Sequence, residues 1–306
     1  MDFKQLEYFV RVAELGSFTR AANVLDIGQP ALSRQVRQLE VELRQNLFVR
    51  NGRGVRTTEA GQILLEQGRG VLHQIQRIHE ELSRVNGSLA GRVAIGLPPT
   101  VAQLVTVPLM KAFRLRLPHA VLAVSEGMTP SIIEGLVSGR LDVALLYNPT
   151  PSPEIDTQPL IEERLVLVGP RTVGARRDPI TLADVSRLPL VMPGRLHTMR
   201  RMLEAEMAGI SRKPNIACEV DGFPAILALV LEQTGYTVMP ERVIQDSPHP
   251  RAFVTRPIVK PELISRLTIA TSATRSSTLT QQEVIGLLRE VAAATPGLNV
   301  VAPPGG

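Results

Sequence analysis

The chain has 306 residues, 44% of them hydrophobic, a formal net charge of +5 and a single cysteine. That length exceeds one ordinary small domain and that apolar content supports buried cores, which excludes disordered and fibrous classes. One thiol excludes an intrachain disulfide framework and a cysteine-based zinc site, and the positive balance permits a nucleic-acid partner without requiring one.

The first residues, MDFKQLEYFV, carry charge early and lack the apolar core of a signal peptide. The longest purely apolar run, AILALVL at 225–231, is far short of a membrane span. A soluble cytoplasmic chain with no membrane partner is expected. Phe3, Leu6, Phe9, Val10 and Ala13 form an apolar stripe at helical spacing, which Gly16 ends. Ser17 then suits the N-cap of a second helix, FTRAANVL, whose Ala21 and Ala22 let helices cross closely. After Asp26–Gly28 a third helix begins, with Pro30 in its first turn, where a missing N–H costs nothing. Its inward stripe is Leu32, Val36, Leu39 and Leu43, and Gln29, Ser33, Arg34 and Arg37 face outward. Two short helices around a tight turn are the helix-turn-helix pattern.

Between Leu43 and Thr58 stand Arg44, Arg50, Arg53 and Arg56 with no acid among them. RNGRGV, with its Asn-Gly pair, reads as a small hairpin, or wing, placed to meet phosphates. From Thr57 or Thr58 one long proline-free helix follows. Val71, Ile75, Ile78, Leu82, Val85 and Leu89 advance in steps of four and three, the seam of a coiled coil. A helix from a second chain is the economical partner, and Gly68 and Gly70 weaken the early part of the helix. From Gly91 onward GRVAIGL, AVLAVSE and LDVALLY read as strands separated by helical stretches, a parallel α/β pattern. Cys218, in NIACEV, reads as a small buried hydrophobe on a strand. The end of the chain, TPGLNVVAPPGG, has no periodicity.

No G-x-S-x-G, H-E-x-x-H, P-loop or Rossmann glycine fingerprint occurs, and the five histidines offer no triad. His73 and His79 are six apart, which is no metal-ligand spacing, and read as surface polar residues; Glu162–Glu163 reads as solvated charge. Neither an enzyme, a cofactor nor a metal is expected.

FVRVAELGSFTRAANVLDIGQPALSRQVRQLE, LFVRNGRGVRTTEAG, GRVAIGLPPT and GRLDVALL, in this order and spacing, resemble the LysR-type transcriptional regulators over nearly the whole chain, most loosely after about residue 240. Within that family GLPPT, LLYNP and QPLIEERLVLVG are most similar to the nitrogen assimilation control branch. The resemblance implies a multi-domain α/β protein. A winged helix-turn-helix at 1–57 and a dimerising linker helix at 58–89 would precede a two-lobed effector domain at 90–306, similar to periplasmic solute-binding proteins. Lobe I would take 90–162 and 267–306, and lobe II 163–266.

The start of a recognition helix reaches base edges and its flanks hold phosphates. Gln29, Pro30, Ser33, Arg34 and Arg37 are therefore assigned to the groove. Arg50, Arg53 and Arg56, with Ser17, Thr19 and Arg20, are assigned to the backbone of double-stranded DNA. The resemblance places the effector crevice at Pro98, Pro99, Thr100 and Val101, at Met128 and Thr129, at Tyr147 and Asn148, and at Arg195, His197 and Thr198. Thr100 and Thr129 each precede a helical stretch, and Arg195 suits a carboxylate, so a small carboxylate effector is expected. A homodimer or homotetramer acting with RNA polymerase at promoters is implied. Alternatives are a plain solute-binding protein and a regulator with no small-molecule effector.

Overall fold

The computed structural model describes residues 1–51, 54–83, 91–171, 177–295 and 298–301, without the side chains at 50, 51, 76, 77 and 79–83. The N-terminal unit holds helices α1 (Phe3–Leu15), α2 (Phe18–Leu25) and α3 (Gln29–Leu43), the hairpin β1 (Phe48–Asn51) and β2 (Gly54–Thr57), and the long helix α4 (Glu59–Ser83). Asp2 and Gln5 close a capping box on α1, and Gly16 leaves it in the left-handed region at φ 61°. Two clusters fill the unit. Leu6, Phe9, Val10, Leu39, Leu47 and Leu65 lie on one side of α1, and Val12, Ala21, Ala22, Leu32 and Val36 on the other. Phe48 joins them, its ring 5.2 Å from Phe9 and 5.6 Å from Phe18. Full burial of side chains such as Phe9 and Leu32 contributes about 1.5–3 kcal/mol each. Two residues of the expected stripes stand outside them: Phe3, in the first turn of α1, and Leu43, the last residue of α3, are both exposed. At those helix ends none of the described elements covers the stripe.

Lobe I is built from β3 (Gly91–Leu97), α5 (Pro99–Arg116), β4 (Ala120–Glu126), α6 (Thr129–Val137) and β5 (Val143–Tyr147). The long strand β6 (Ile155–Pro170) leads out of it. Lobe II adds β7 (Ile180–Thr181), α7 (Leu182–Val185), β8 (Leu190–Met192), α8 (Thr198–Gly209), β9 (Ile216–Glu219), α9 (Phe223–Leu231), β10 (Thr237–Pro240), α10 (Glu241–Gln245) and β11 (Phe253–Val259). The chain returns through β12 (Ile264–Ser272) to α11 (Leu279–Ala294) and β13 (Asn299–Val300). One sheet runs β4-β3-β5-β12-β6-β11-β7, with β10 and β13 also paired to β6. β3, β4 and β5 are mutually parallel, and the buried runs of β3 and β5 fit strands covered on both faces.

β6 carries the passage between lobes. Its residues 155–164 pair with β12, and 165–170 pair with β10 and β11. Ile161 and Leu267 pack in the first-lobe core, Leu165 and Leu263 in the second. α5 and α11 cover one face of the first-lobe sheet and α6 the other. Cys218, on β9, is half-buried against the second-lobe core. No helix among the described residues is long and apolar enough to cross a membrane.

Candidate DNA interface and effector crevice

α3 begins behind Gly28, with Pro30 in its first turn. Leu32, Val36 and Leu39 are buried, and this fixes which face turns outward. That outer face carries Gln29, Pro30, Arg34 and Arg37, all exposed, with Ser33 half-buried. Gln29 Nε2 donates to Ser33 Oγ at 2.9 Å, holding the two side chains together. Among the described residues Arg34 and Arg37 have no hydrogen-bond or ion-pair partner. The nearby acids are engaged elsewhere. Glu40 Oε1 accepts the N–H groups of Leu47 (2.8 Å) and Phe48 (3.2 Å). Glu42 pairs with the N-terminal ammonium, which, ahead of Gln5, holds its carboxyl below the ordinary value.

Ser17 Oγ accepts the Arg20 N–H at 3.3 Å, so this serine caps α2, and Thr19 beside it is exposed. Arg20 is exposed too, but its guanidinium donates to the Leu15 carbonyl at 2.6 Å, at the C-terminal end of α1. The wing pairs Val49 with Arg56 and Arg50 with Val55, and Arg56 is exposed. The Arg50 side chain and the whole of Arg53 lie outside the described residues. Val55 N–H donates to the Gly16 carbonyl at 3.1 Å, and a Cβ on Gly54 would come within 2.6 Å of that oxygen. Two glycines in backbone conformations that side chains disfavour thus seat the wing on the α1–α2 corner.

In the crevice, α5 and α6 start behind Pro98 and Met128, neither of which offers a side-chain cap. Thr100 and Thr129 are first-turn residues rather than caps, and the free N–H groups there are uncapped by side chains. Thr129 Oγ1 lies 3.3 Å from Thr198 Oγ1, so the first turn of α6 meets that of α8 across the lobes. Asn148, at a left-handed φ of 42°, fixes the end of β5. Its amide oxygen accepts the Arg266 N–H at 2.8 Å, and its Nδ2 reaches Ser265 Oγ (3.2 Å) and Met202 of α8. Pro98 and Val101 are buried, and Pro99 and Met128 are exposed. His197 caps α8 through Nδ1, which accepts the Met199 N–H at 3.3 Å, and its ring lies 5.9 Å from that of Phe223, tilted by 49°. Burial pushes its pKa down, opposed by the charge of Asp221. Arg195 is exposed and has no partner among the described residues.

Two residues read otherwise from the sequence, Glu163 and His73, and one the sequence did not single out, Arg200, are central here. Glu163 is buried, not solvated: its Oε1 accepts from Arg242 Nε at 3.1 Å and its Oε2 from the Tyr147 hydroxyl at 3.0 Å. Arg242 is itself buried and reaches Asp246 at 3.0 Å. Burial, then the charge of Glu163, raises the Tyr147 pKa, so the phenol remains a donor. Alternation in LIEERLVL carried the signal, since Glu163 shares a face with Ile161 and Leu165. Arg200, rather than Arg195, is the buried arginine of PGRLHTMRR, paired with Glu204 at 2.7 Å and reaching Glu219 at 3.4 Å. His73 is also buried, with Nε2 2.9 Å from Asp142 Oδ2, because α4 packs against lobe I of its own chain. His79 lies outside the described side chains. Two concavities of about 220 and 260 Å³ lie away from the crevice, one where Glu162, Arg164 and Ile264 meet Asn299–Val301 and one beside Gln158, Thr271 and Gln282.

Residues 3–62 match the profile of the bacterial regulatory helix-turn-helix protein, lysR family, and residues 86–293 match the LysR substrate binding domain. The nitrogen assimilation regulatory protein nac of Klebsiella aerogenes is 37% identical over 244 residues, 79% of each chain. The nac protein of Escherichia coli K12 is 33% identical over 242 residues, again 79% of each. A full-length OxyR variant from Pseudomonas aeruginosa superposes with a TM-score of 0.74 at 23% identity, covering 100% of this chain and 99% of that one. CbnR in complex with its target DNA gives 0.68 at 24%, covering 95% and 100%.

Proposed function

The chain belongs to the LysR family of DNA-binding transcriptional regulators, and from that premise we propose that α3 reads base edges in the major groove while the wing and the α2 corner hold the flanking phosphates. One observation carries this reading: the outer face of α3 presents Gln29, Ser33, Arg34 and Arg37 with both arginines uncompensated. Gln29 suits adenine N6/N7, Arg34 guanine O6/N7 and Pro30 a thymine methyl. Arg56, with Arg50 and Arg53, supplies phosphate contacts, and Ser17, Thr19 and Arg20 add to them.

The proposed division is 1–57 for DNA, 58–89 for dimerisation, and 90–306 for the two lobes, within a cytoplasmic homodimer or homotetramer that acts with RNA polymerase. The crevice takes a small carboxylate. Uncapped first turns of α5 and α6, the Thr129–Thr198 approach and the free Arg195 at the rim favour an anion. Calorimetry of the full chain against a panel of small carboxylates tests it; heat with none of them rejects the carboxylate effector. A regulator working without an effector is the second reading. The mutually satisfied Tyr147–Glu163–Arg242 group and the hydroxyl contact already joining the lobes favour it.

A further inference from the structure

α4 is more than a spacer between the DNA-binding unit and a partner. Midway along, its face at Gly70, His73 and Gln74 lies on lobe I. A Cβ on Gly70 would fall 1.9 Å from the Ser138 carbonyl oxygen, so only glycine lets the helix approach this closely. One turn on, His73 Nε2 meets Asp142 Oδ2 at 2.9 Å, with both side chains at most 5% exposed. The same carboxylate oxygen accepts the Ala94 N–H at 2.8 Å. Gln281 of α11 donates to the Asp142 carbonyl at 2.9 Å, and Arg275 donates to the carbonyls of Leu136 and Val137 at the end of α6.

Two elements run from this patch to the crevice. β5 follows directly on Asp142 and ends at Tyr147, which donates to Glu163. α6 begins at Thr129, against Thr198 of lobe II, and ends just before Ser138, against Gly70. A nine-residue helix and a five-residue strand, both short and regular, thus connect the patch physically to the crevice. The patch itself is weakly held. Among the described residues His73 Nδ1, Gln74 Nε2 and Gln281 Oε1 are buried without partners. The two on α4, His73 Nδ1 and Gln74 Nε2, give up water on docking and gain nothing in exchange, which brings the docked state closer in free energy to an undocked one.

We infer that the Gly70–His73 face of α4 and the Ser138–Asp142 segment of lobe I form a releasable latch that sets the angle of the DNA-binding unit on the effector domain. The regulatory sense of the latch rests on the crevice reading above. Its existence does not, because the experiment uses no effector.

Gly70→Ala in the full chain is the direct test. Alanine strengthens a helix, so the variant improves α4 while blocking the dock. Hydrogen exchange at residues 138–142 and at the Ala94 amide should rise about tenfold or more, with the rest of lobe I unchanged. On a duplex selected from a random pool by the wild-type chain, the bend angle should shift while affinity for a single half-site stays the same. His73→Ala should act alike, and covers the case in which Gly70→Ala does not fold. His73→Gln, which keeps a donor for Asp142, should lie nearer the wild type. Wild-type exchange at 138–142 in the folded variants, a uniform rise throughout lobe I, or an unchanged bend angle each overturns the latch. A crevice that binds no carboxylate would leave all of these outcomes as they are.

Discussion

Arg34 and Arg56 are both exposed arginines, and among the described residues neither is neutralised by a carboxylate, but they stand on different ground. Arg34 sits on the second turn of α3, on a face fixed by the burial of Leu32 and Val36. A bidentate partner there is one base. Arg34→Ala should cost about 1–3 kcal/mol on the preferred sequence and relax the preference at one base pair, read from binding to a set of single-base variants. Arg56, on the wing, meets phosphates that every sequence has. Arg56→Ala should weaken all duplexes alike and flatten the salt dependence of binding by about one phosphate contact. Equal losses on specific and random DNA for Arg34→Ala would remove its base-reading role. At the other end of the molecule His197 gives a pH effect with a definite sign. Burial holds its folded pKa below the unfolded value near 6.5, so its contribution to stability is present above that value. It is lost as pH falls from there toward the folded pKa, as protonation removes the acceptor that caps α8. His197→Asn, which keeps a capping oxygen, should flatten the fall in melting temperature between about pH 7 and 5.

At the scale of elements, β6 does the unusual work, because one strand serves both lobes and carries a buried acid where they meet. Removing one partner of such a pair strands the other charge. Glu163→Ala should destabilise the chain by about 3–5 kcal/mol in urea unfolding, and Glu163→Leu with Arg242→Met should recover most of that loss. If the single and double variants lose the same stability, the pair is not what holds the junction. Elements were largely legible from sequence because periodicity reports burial. The stripe of α3, the glycine stop after α1 and the apolar runs of β3 and β5 all reflect local geometry. Glu163 and His73 were misread for one reason. A charged or polar side chain is buried only when a distant residue pairs with it, and Arg242 and Asp142 are 79 and 69 positions away. Nothing in the neighbourhood of either residue announces its partner. Gly70 does weaken the helix, as its sequence suggests, but the close approach it admits is hidden in the same way, because the surface it meets belongs to a segment far along the chain.

For the whole molecule, what remains exposed on α4 matters most. Leu65 and His73 are turned inward, yet Ile63, Val71 and Ile78 are exposed along its other side. That apolar stripe is the surface we assign to a second copy, with each side chain worth about 1.5–3 kcal/mol when covered. Val71→Glu with Ile78→Glu should therefore shift the chain toward monomer in sedimentation equilibrium, and should cost two-half-site binding far more than half-site binding. In the proposed dimer this contact would set the spacing of the two recognition helices and so the form of the DNA site. Footprinting of DNA fragments with the full chain, wild type against Arg34→Ala, tests base reading by α3 most directly. Wild type should protect a dyad-symmetric element whose half-sites lie a whole number of helical turns apart, with the pattern lost in the variant while general DNA affinity persists. Protection without sequence preference, or an identical footprint from Arg34→Ala, would contradict it.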